Sequence, residues 1–334
     1  MKNNLKPVAV TIGEPAGIGP EISLKAWKYK EYISSKFFFI GDIENLNEYN
    51  KMLKLEVKIA EIENPSDISK IPNDSLAVIN NKLVENCKPA LPRKENANSL
   101  INCIDKAATF VKSKEATAIV TNPLQKQTLY EGGFNFLGVT EFLGNMFSND
   151  SSAPIMMLAN PELRVVPLTT HLPLSKAINQ LSFELISSKI KILNNSLQKD
   201  FGIKKPKINI CGVNPHAGEN GTIGNEEVEI IKPAIEELNN HGINISGPYP
   251  ADSMFHKEAV KNYDAIVCMY HDQALIPIKT NNFWNSVNIT LGLPIIRTSP
   301  DHGTALNIAG KNIAKPNSLL AAIETAANLS QKNN

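Results

Sequence analysis

The chain has little of what marks many specialised proteins. Its four cysteines, Cys87, Cys103, Cys211 and Cys268, show no CxxC spacing, which removes the usual sequence argument for a thiolate metal site or a redox motif. Two of them lie in apolar runs that read as buried strands, where a thiol behaves as a small hydrophobe. Neither sign of charge dominates: 34 basic and 33 acidic residues leave a formal charge of +1, so no single-sign surface exists for nucleic acid or an anionic membrane. Any anion has to be recognised by a local site. No segment reaches the roughly 18 uncharged apolar residues of a membrane span, and the N-terminal MKNNLKPVAVTIGEP has no long apolar core of a secretory signal. A soluble protein of the reducing cytoplasm, without nucleic-acid or membrane partners, is expected. GxGxxG, the P-loop and HExxH are also missing, so neither a nucleotide fingerprint nor a zincin motif can be read directly.

What is present is material for cores. At 334 residues and 42% hydrophobic content the chain can build two domains of ordinary size. Short β-branched runs alternate with longer amphipathic stretches, the pattern of an α/β protein whose parallel sheet is covered by helices on both faces. Strands are expected at 8–12, 37–40, 118–120, 164–168, 207–211 and 265–269, and helices at 182–197 and 226–239. Turn-rich ends of apolar runs at Thr121-Asn122-Pro123 and Ser299-Pro300 suggest a first domain of 1–123 with 300–334, and a second of 124–299.

The most informative pattern is positional. RVVPLTT runs into His171, INICGVNP into His216 and AIVCMY into His271, so each histidine follows an apolar strand. Ligands of open parallel sheets bind beyond the carboxyl ends of the strands, where three imidazoles can converge on Zn²⁺ or, with added oxygens, on a harder ion. The bland alternative is that each histidine bonds a loop backbone, since their separations match no short metal motif. His241 at a helix end and His256 in a helical stretch have capping or surface roles.

Two further segments stand out. TIGEPAGIGPEI reads as strand, glycine loop and helix with Pro20 at its start, where free N–H groups could hold an anion, although tight chain reversal alone also requires glycine. Downstream of His271 come Asp272, Lys279, Asn288 and Arg297, a set suited to phosphate or carboxylate. Arg297 ends an apolar run and is not expected to point into plain water.

The motifs TIGEPAGIGPEI, TNPLQKQTL, GVTEFLG, TTHLPLSKA, GVNPHAGENGTIGNEE, YPADSMF, YHDQALIPIK and LGLPIIRTSPDHGTALNIAGKNIA together resemble the 4-hydroxythreonine-4-phosphate dehydrogenase family of pyridoxal phosphate biosynthesis, over nearly the whole chain. The resemblance implies two α/β/α three-layer domains similar to isocitrate and isopropylmalate dehydrogenases, and a homodimer with its active site at the domain cleft and subunit interface. It implies one divalent metal, Zn, Mg or Co, held by His171, His216 and His271, with contributions crossing between subunits. Substrate contacts fall on Thr140, Lys279, Asn288 and Arg297. His302, Gly303, Thr304, Ala305 and Asn307 match a cofactor loop for NAD or NADP.

Two departures bear on specificity: the family's GHTEFL reads with Val139 in place of histidine, and the aspartate before Ile-Ala-Gly is Asn307. The implied reaction is oxidation of 4-phosphohydroxy-L-threonine to 2-amino-3-oxo-4-phosphooxybutanoate, which decarboxylates to 3-amino-2-oxopropyl phosphate. Lys279 or Asp272 is the expected proton acceptor. Rivals are a dehydrogenase of a sibling substrate such as a phosphorylated threonate, a metallohydrolase, and a non-catalytic anion-binding module. The last gives no reason for three strand-end histidines.

Overall fold

In the computed structural model, which describes residues 6–136, 138–147 and 153–332, the run Phe37-Phe38-Phe39 shows how a sheet is covered. Successive side chains point to opposite faces of a strand. Phe37 meets Trp27 edge-on at 5.6 Å between ring centroids, whereas Phe38 meets Phe110 at 6.0 Å. Trp27 lies in helix α1 (Gly19–Lys28) and Phe110 in α3 (Ala97–Lys112). Helices therefore flank both faces of strand β2 (Phe37–Gly41), and the next helix, α2 (Ile43–Leu53), is capped by Asp42, whose Oδ1 accepts from Asn45 N at 2.9 Å.

The chain divides into two compact units, residues 1–147 with 293–334, and residues 148–292. The first adds β1 (Val8–Thr11), β3 (Lys58–Glu61), β4 (Ser75–Asn80), β5 (Ala118–Thr121), α4 (Lys126–Glu131) and α5 (Val139–Phe147), and takes β12 (Ile296–Pro300) and α10 (Asn317–Lys332) from the end of the chain. Its strands run in the order β3-β4-β2-β1-β5-β12, all parallel. Ala9, Phe38, Ile40 and Ile119 pack on Cys103, Ile104 and Ala107 of α3, and burying one such large apolar side chain stabilises by about 1.5–3 kcal/mol. The expected cuts after Pro123 and near Pro300 fall inside this unit. Residues beyond Pro123 return to it, with Leu129 against Ala97 and Leu100 and Leu143 in the α3 core, while β12 is a ladder partner of β5.

The second unit comprises β6 (Ile155–Ala159), β7 (Arg164–Pro167), α6 (Leu174–Asn179), α7 (Phe183–Lys199), β8 (Ile208–Cys211), α8 (Lys232–Asn240), β9 (Ile245–Tyr249), β10 (Ala265–Cys268), α9 (His271–Asn282) and β11 (Val287–Leu291). The strands lie in the order β11-β6-β7-β10-β8-β9. Here the parallel expectation needs correction: β6 is antiparallel to both β7 and β11, and the rest is parallel. The cause is a short turn in which Asn160 Oδ1 accepts from the N–H groups of Glu162 and Leu163, each at 2.9 Å. So tight a connection can join only antiparallel neighbours. Ala274 and Ile278 of α9 pack with Leu158, Val165, Cys211, Ile266 and Cys268. The alternate residues Val166, Ile210 and Val267 are buried as well.

The helix expected at 226–239 is a π-turn, Glu227–Ile231, followed by α8. Pro233 at the start of α8 has no N–H to give to an α-helical bond with the preceding turn. His256 lies in a bend rather than a helix, and His241 is the C-cap of α8.

One buried ion pair ties α1 to the far end of the first unit. Glu21 Oε1 accepts from Lys25 Nζ at 2.7 Å and from Ala314 N at 2.9 Å, and Lys25 Nζ donates to Ala314 O at 2.8 Å. Removing one partner of such a pair strands a charge, so Lys25→Ala should lower the urea-unfolding free energy by about 3 kcal/mol. The exposed pair Lys58–Asp74 is the control, and Lys58→Ala should change far less. Equal effects would show that the Glu21 pair adds nothing beyond a surface contact.

Candidate functional site

Strands β7, β10 and β8 are neighbours in that order and parallel, so the segments that carry the three histidines, two loops and the first residue of α9, leave the same sheet edge. Polar bridges bind these exits together. Leu168 N donates to Cys268 O at 2.7 Å and Thr169 Oγ1 to Met269 O at 2.8 Å. Gln273 accepts from Met269 N through Oε1 at 2.7 Å and donates through Nε2 to Gly212 O at 2.9 Å, reaching across to the exit of β8.

His171 and His271 stand with ring centroids 5.7 Å apart and line, with Thr169, Leu174, Tyr270 and Asp272, a cavity of about 250 Å³. Asp272 Oδ1 lies 2.7 Å from His271 Nδ1. An ionised carboxylate there accepts the Nδ1–H and leaves Nε2 as the electron-pair donor. Two imidazoles in one cavity supply part of the donor set of a Zn²⁺ or Co²⁺ site, and with water oxygens of an Mg²⁺ site. His216 does not line this cavity, and among the described residues of one chain no three His, Cys, Asp or Glu side chains converge as a metal site. The expected trio is thus a pair plus a third histidine on the adjacent exit loop.

Both exit loops are bent against their preference. His171 has φ 54°, and the backbone from His216 to Asn220 is left-handed throughout, with φ of 53°, 51°, 77°, 41° and 55°. Such a conformation costs a non-glycine residue about 1–2 kcal/mol and persists where surroundings impose it. Glu227, fully buried, sits inside the His216 loop. Nothing in the sequence marks Glu227 or Gln273: the last glutamate of NEE and a glutamine in YHDQ carry no local signal of burial.

The other expected residues distribute as follows. In the first unit Thr140 is half-buried on α5, and Val139 packs against the α3 core. Arg297 is buried on β12 and donates through Nη2 to Thr121 Oγ1 at 2.6 Å. Burial lowers its pKa to about 10, with nearby Glu141 opposing the shift, so the guanidinium keeps its charge at neutral pH. In the second unit Lys279 is half-buried on α9 with Nζ 5.6 Å from the Phe283 ring centroid. Asn288, on β11, has an Oδ1 shielded from solvent and without a hydrogen-bond partner among the described residues. Asp272 is exposed.

The glycine loop and the expected cofactor loop meet within the first unit. Ile18 N donates to Thr304 O at 3.0 Å, and a Cβ on Gly17 would come within 2.8 Å of that same oxygen. Gly13, at φ 75°, faces Asn122 and Pro123 equally closely. Close approach and chain reversal thus account for both glycines. Ala305 is left-handed at φ 44°, Leu306–Ile308 forms a 3₁₀ turn, and His302 Nδ1 lies 3.0 Å from Gly303 O. His302 and Thr304 are half-buried and Asn307 exposed, an imidazole, a hydroxyl and an amide of the kinds that bind ribose and adenine. Within the glycine loop Glu14 is buried, with Oε1 accepting from Ala16 N at 3.2 Å and Oε2 without a hydrogen-bond partner among the described residues. Desolvation pushes its pKa from the ordinary 4.5 to about 7.

The family model described as pyridoxal phosphate biosynthetic protein PdxA matches residues 34–326. The chain is 44% identical to a 4-hydroxythreonine-4-phosphate dehydrogenase of Bradyrhizobium diazoefficiens, covering 97% of each protein. It is likewise 44% identical to the protein of that name from Zymomonas mobilis, covering 97% of this chain and 96% of that one. The crystal structure of 4-hydroxythreonine-4-phosphate dehydrogenase from Klebsiella pneumoniae is similar at a TM-score of 0.86 and 33% identity, covering 98% of this chain and 100% of that one.

Glu14 generates a pH dependence of stability. Its folded pKa of about 7 exceeds the ordinary 4.5, so the folded state holds the proton more tightly than the unfolded. The contribution is complete at about pH 4.5 and below, and is lost as pH rises through about 7. Glu14→Gln should remove this decline, so that the Tm of the wild type falls relative to the variant across that window and runs parallel above it. Parallel curves throughout would mean that Glu14 is not desolvated.

Proposed function

This chain belongs to the PdxA family of pyridoxal phosphate biosynthetic proteins, and on that premise we propose that it oxidises 4-phosphohydroxy-L-threonine with NAD or NADP. The product, 2-amino-3-oxo-4-phosphooxybutanoate, loses CO₂ to give 3-amino-2-oxopropyl phosphate. The observation that carries this reading is 44% identity, over nearly the full length of both chains, to proteins named for that dehydrogenase.

His171, His271 and His216 would hold a divalent ion, Zn²⁺, Mg²⁺ or Co²⁺, while His302, Gly303, Thr304, Ala305 and Asn307 would hold the nicotinamide cofactor. The chemistry these groups supply when bound is polarisation of the substrate hydroxyl and acceptance of a hydride. The protein's own side chains do the rest. Arg297, charged at neutral pH, and Lys279 grip the phosphate; Thr140 and Asn288 hydrogen-bond the substrate. Asp272 or Lys279 accepts the hydroxyl proton, and Asp272 also orients His271 through Nδ1. Uncharged Asn307 repels no ribose phosphate, which admits NADP as well as NAD.

Exposed Leu174, Ile276, Phe283 and Trp284 in the second unit support a homodimer in which a second copy covers apolar surface and the metal histidines come from both copies. Among the described residues no helix is long and apolar enough to cross a membrane. A phosphorylated metabolite and a nicotinamide cofactor as reactants support a cytoplasmic setting. Formation of reduced nicotinamide from the phospho-substrate, metal and NAD or NADP, followed by absorbance, tests the whole reading.

Chelation should abolish turnover, as should His171→Ala, His216→Ala and His271→Ala, because each ligand lost removes affinity and geometry together. His241→Ala and His256→Ala should stay active: their Nδ1 atoms engage Glu237 O at 2.8 Å and Glu258 Oε2 at 3.0 Å respectively. Full activity of a metal-stripped preparation would sink the metal role.

Val139 supports a second reading. Its packing on the α3 core takes the place of a family side chain able to donate to substrate, and an altered substrate such as 4-phosphothreonate is the natural rival. With the phosphohydroxythreonine reaction retained, Val139→His should change KM more than kcat, by no more than about 1.5 kcal/mol. Steady-state kcat/KM for both substrates on both forms decides. A native preference of about tenfold or more for the threonate, reversed by histidine, refutes the first substrate.

A further inference from the structure

The loop that carries His216 is wound around a carboxylate whose hydrogen bonds go to Val213 and Asn214. Glu227 opens the π-turn Glu227–Ile231 and is fully buried. Its Oε1 accepts from Val213 N at 2.7 Å and from Asn214 N at 2.8 Å, and its Oε2 accepts from Asn214 Nδ2 at 2.9 Å. Asn214 also donates from Nδ2 to Glu226 Oε2 at 2.7 Å, and its carbonyl accepts from Ala217 N at 3.1 Å. The chain on either side is shaped to leave room for this group: a Cβ on Gly212 would lie 2.9 Å from Oε1, and one on Gly218 would lie 2.5 Å from Oε2. Gly212 is fastened from the other side by Gln273 Nε2, two residues beyond His271. His216 therefore enters an unfavourable left-handed turn from a segment, Val213 and Asn214, that is tied to Glu227.

We propose that Glu227 is a positioning residue for the metal: it fixes Val213 and Asn214, and through them sets the left-handed turn that aims His216 before any ion arrives. The inference rests on the reading of His216 as a metal ligand. An acceptor-only group is required, because three donors converge on two oxygens. An amide at this position would turn its NH₂ toward either the two backbone N–H groups or the Asn214 amide. Without the carboxylate the left-handed backbone keeps only bonds such as Ala217 N to Asn214 O and Ile223 N to Gly218 O, its approach through Val213 and Asn214 is released, and His216 shifts.

The test is titration of the full-length protein with Co²⁺, followed by visible absorption and calorimetry, for wild type, Glu227→Gln and His216→Ala. Loss of a group that orients a ligand typically weakens metal binding about ten- to a hundredfold. That weakening, together with altered Co²⁺ ligand-field bands in folded Glu227→Gln, is the expected result. Should Glu227→Gln fail to fold, Glu227→Asp, which keeps the charge but withdraws it by one methylene, reads the same quantity. Wild-type Co²⁺ affinity and spectrum in the Glu227 variant, with or without a fall in Tm, while His216→Ala loses binding, overturns the positioning role and leaves the metal reading standing. Unchanged Co²⁺ binding in His216→Ala overturns the metal reading of His216 and this inference with it.

Discussion

The parallel pairing of β7, β10 and β8 is the constraint on which the candidate site depends. Parallel neighbours leave a sheet on the same edge, so residues that are far apart along the chain are delivered side by side. Both faces of these strands are buried, with Val165, Val166, Ile266 and Val267 essentially without solvent exposure. Backbone groups released from the ladder at such an edge still need partners. Thr169 and Gln273 supply them at Met269 and Gly212, and the bonds that satisfy the strand ends also fix the segments on which His171, His216 and His271 ride.

Each unit holds groups in states that water would not favour. His171 and the His216 loop are left-handed, Glu227 is a buried carboxylate ringed by N–H donors, and in the first unit Arg297 and Glu14 are removed from solvent with their pKa values displaced. Each is costly in isolation and is tolerated because hydrogen bonds or packing over-determine it. Arg297 keeps its charge with Thr121 as acceptor and Glu141 nearby, whereas Glu14 holds its proton up to near neutral pH. Two charged side chains in the same unit thus respond oppositely to burial, as their signs require.

Six strands buried on both faces are legible in the sequence, whereas β4 and β12, buried as deeply, are not. The runs at 8–12, 37–40, 118–120, 164–168, 207–211 and 265–269 appear as β1, β2, β5, β7, β8 and β10 within a residue at each end, because a continuous β-branched run bounded by turns has few other folds open to it. The half-exposed β3, Lys58–Glu61, and β9, which contains Gly247 and Pro248, offered no such run. The direction of β6 was not legible either, since it hangs on two hydrogen bonds to Asn160 rather than on hydrophobicity. The division after Phe147 rather than Pro123 could not be read either, because it depends on which distant surface Leu129 and Leu143 turn back onto, that of α3.

By itself the sequence determined the α/β class, the strand-end placement of three histidines, the family resemblance and the set of side chains that chemistry of this kind needs. All of these are encoded in residue type and local order. Only the tertiary structure decided that His171 and His271 share a cavity while His216 stands on the neighbouring loop, that Val139 faces a core, and that Glu227 and Gln273 hold the exits of β8 and β10. These facts are relations between residues distant in sequence. They are settled by which strands pair and which buried polar groups find one another, and no local pattern records that.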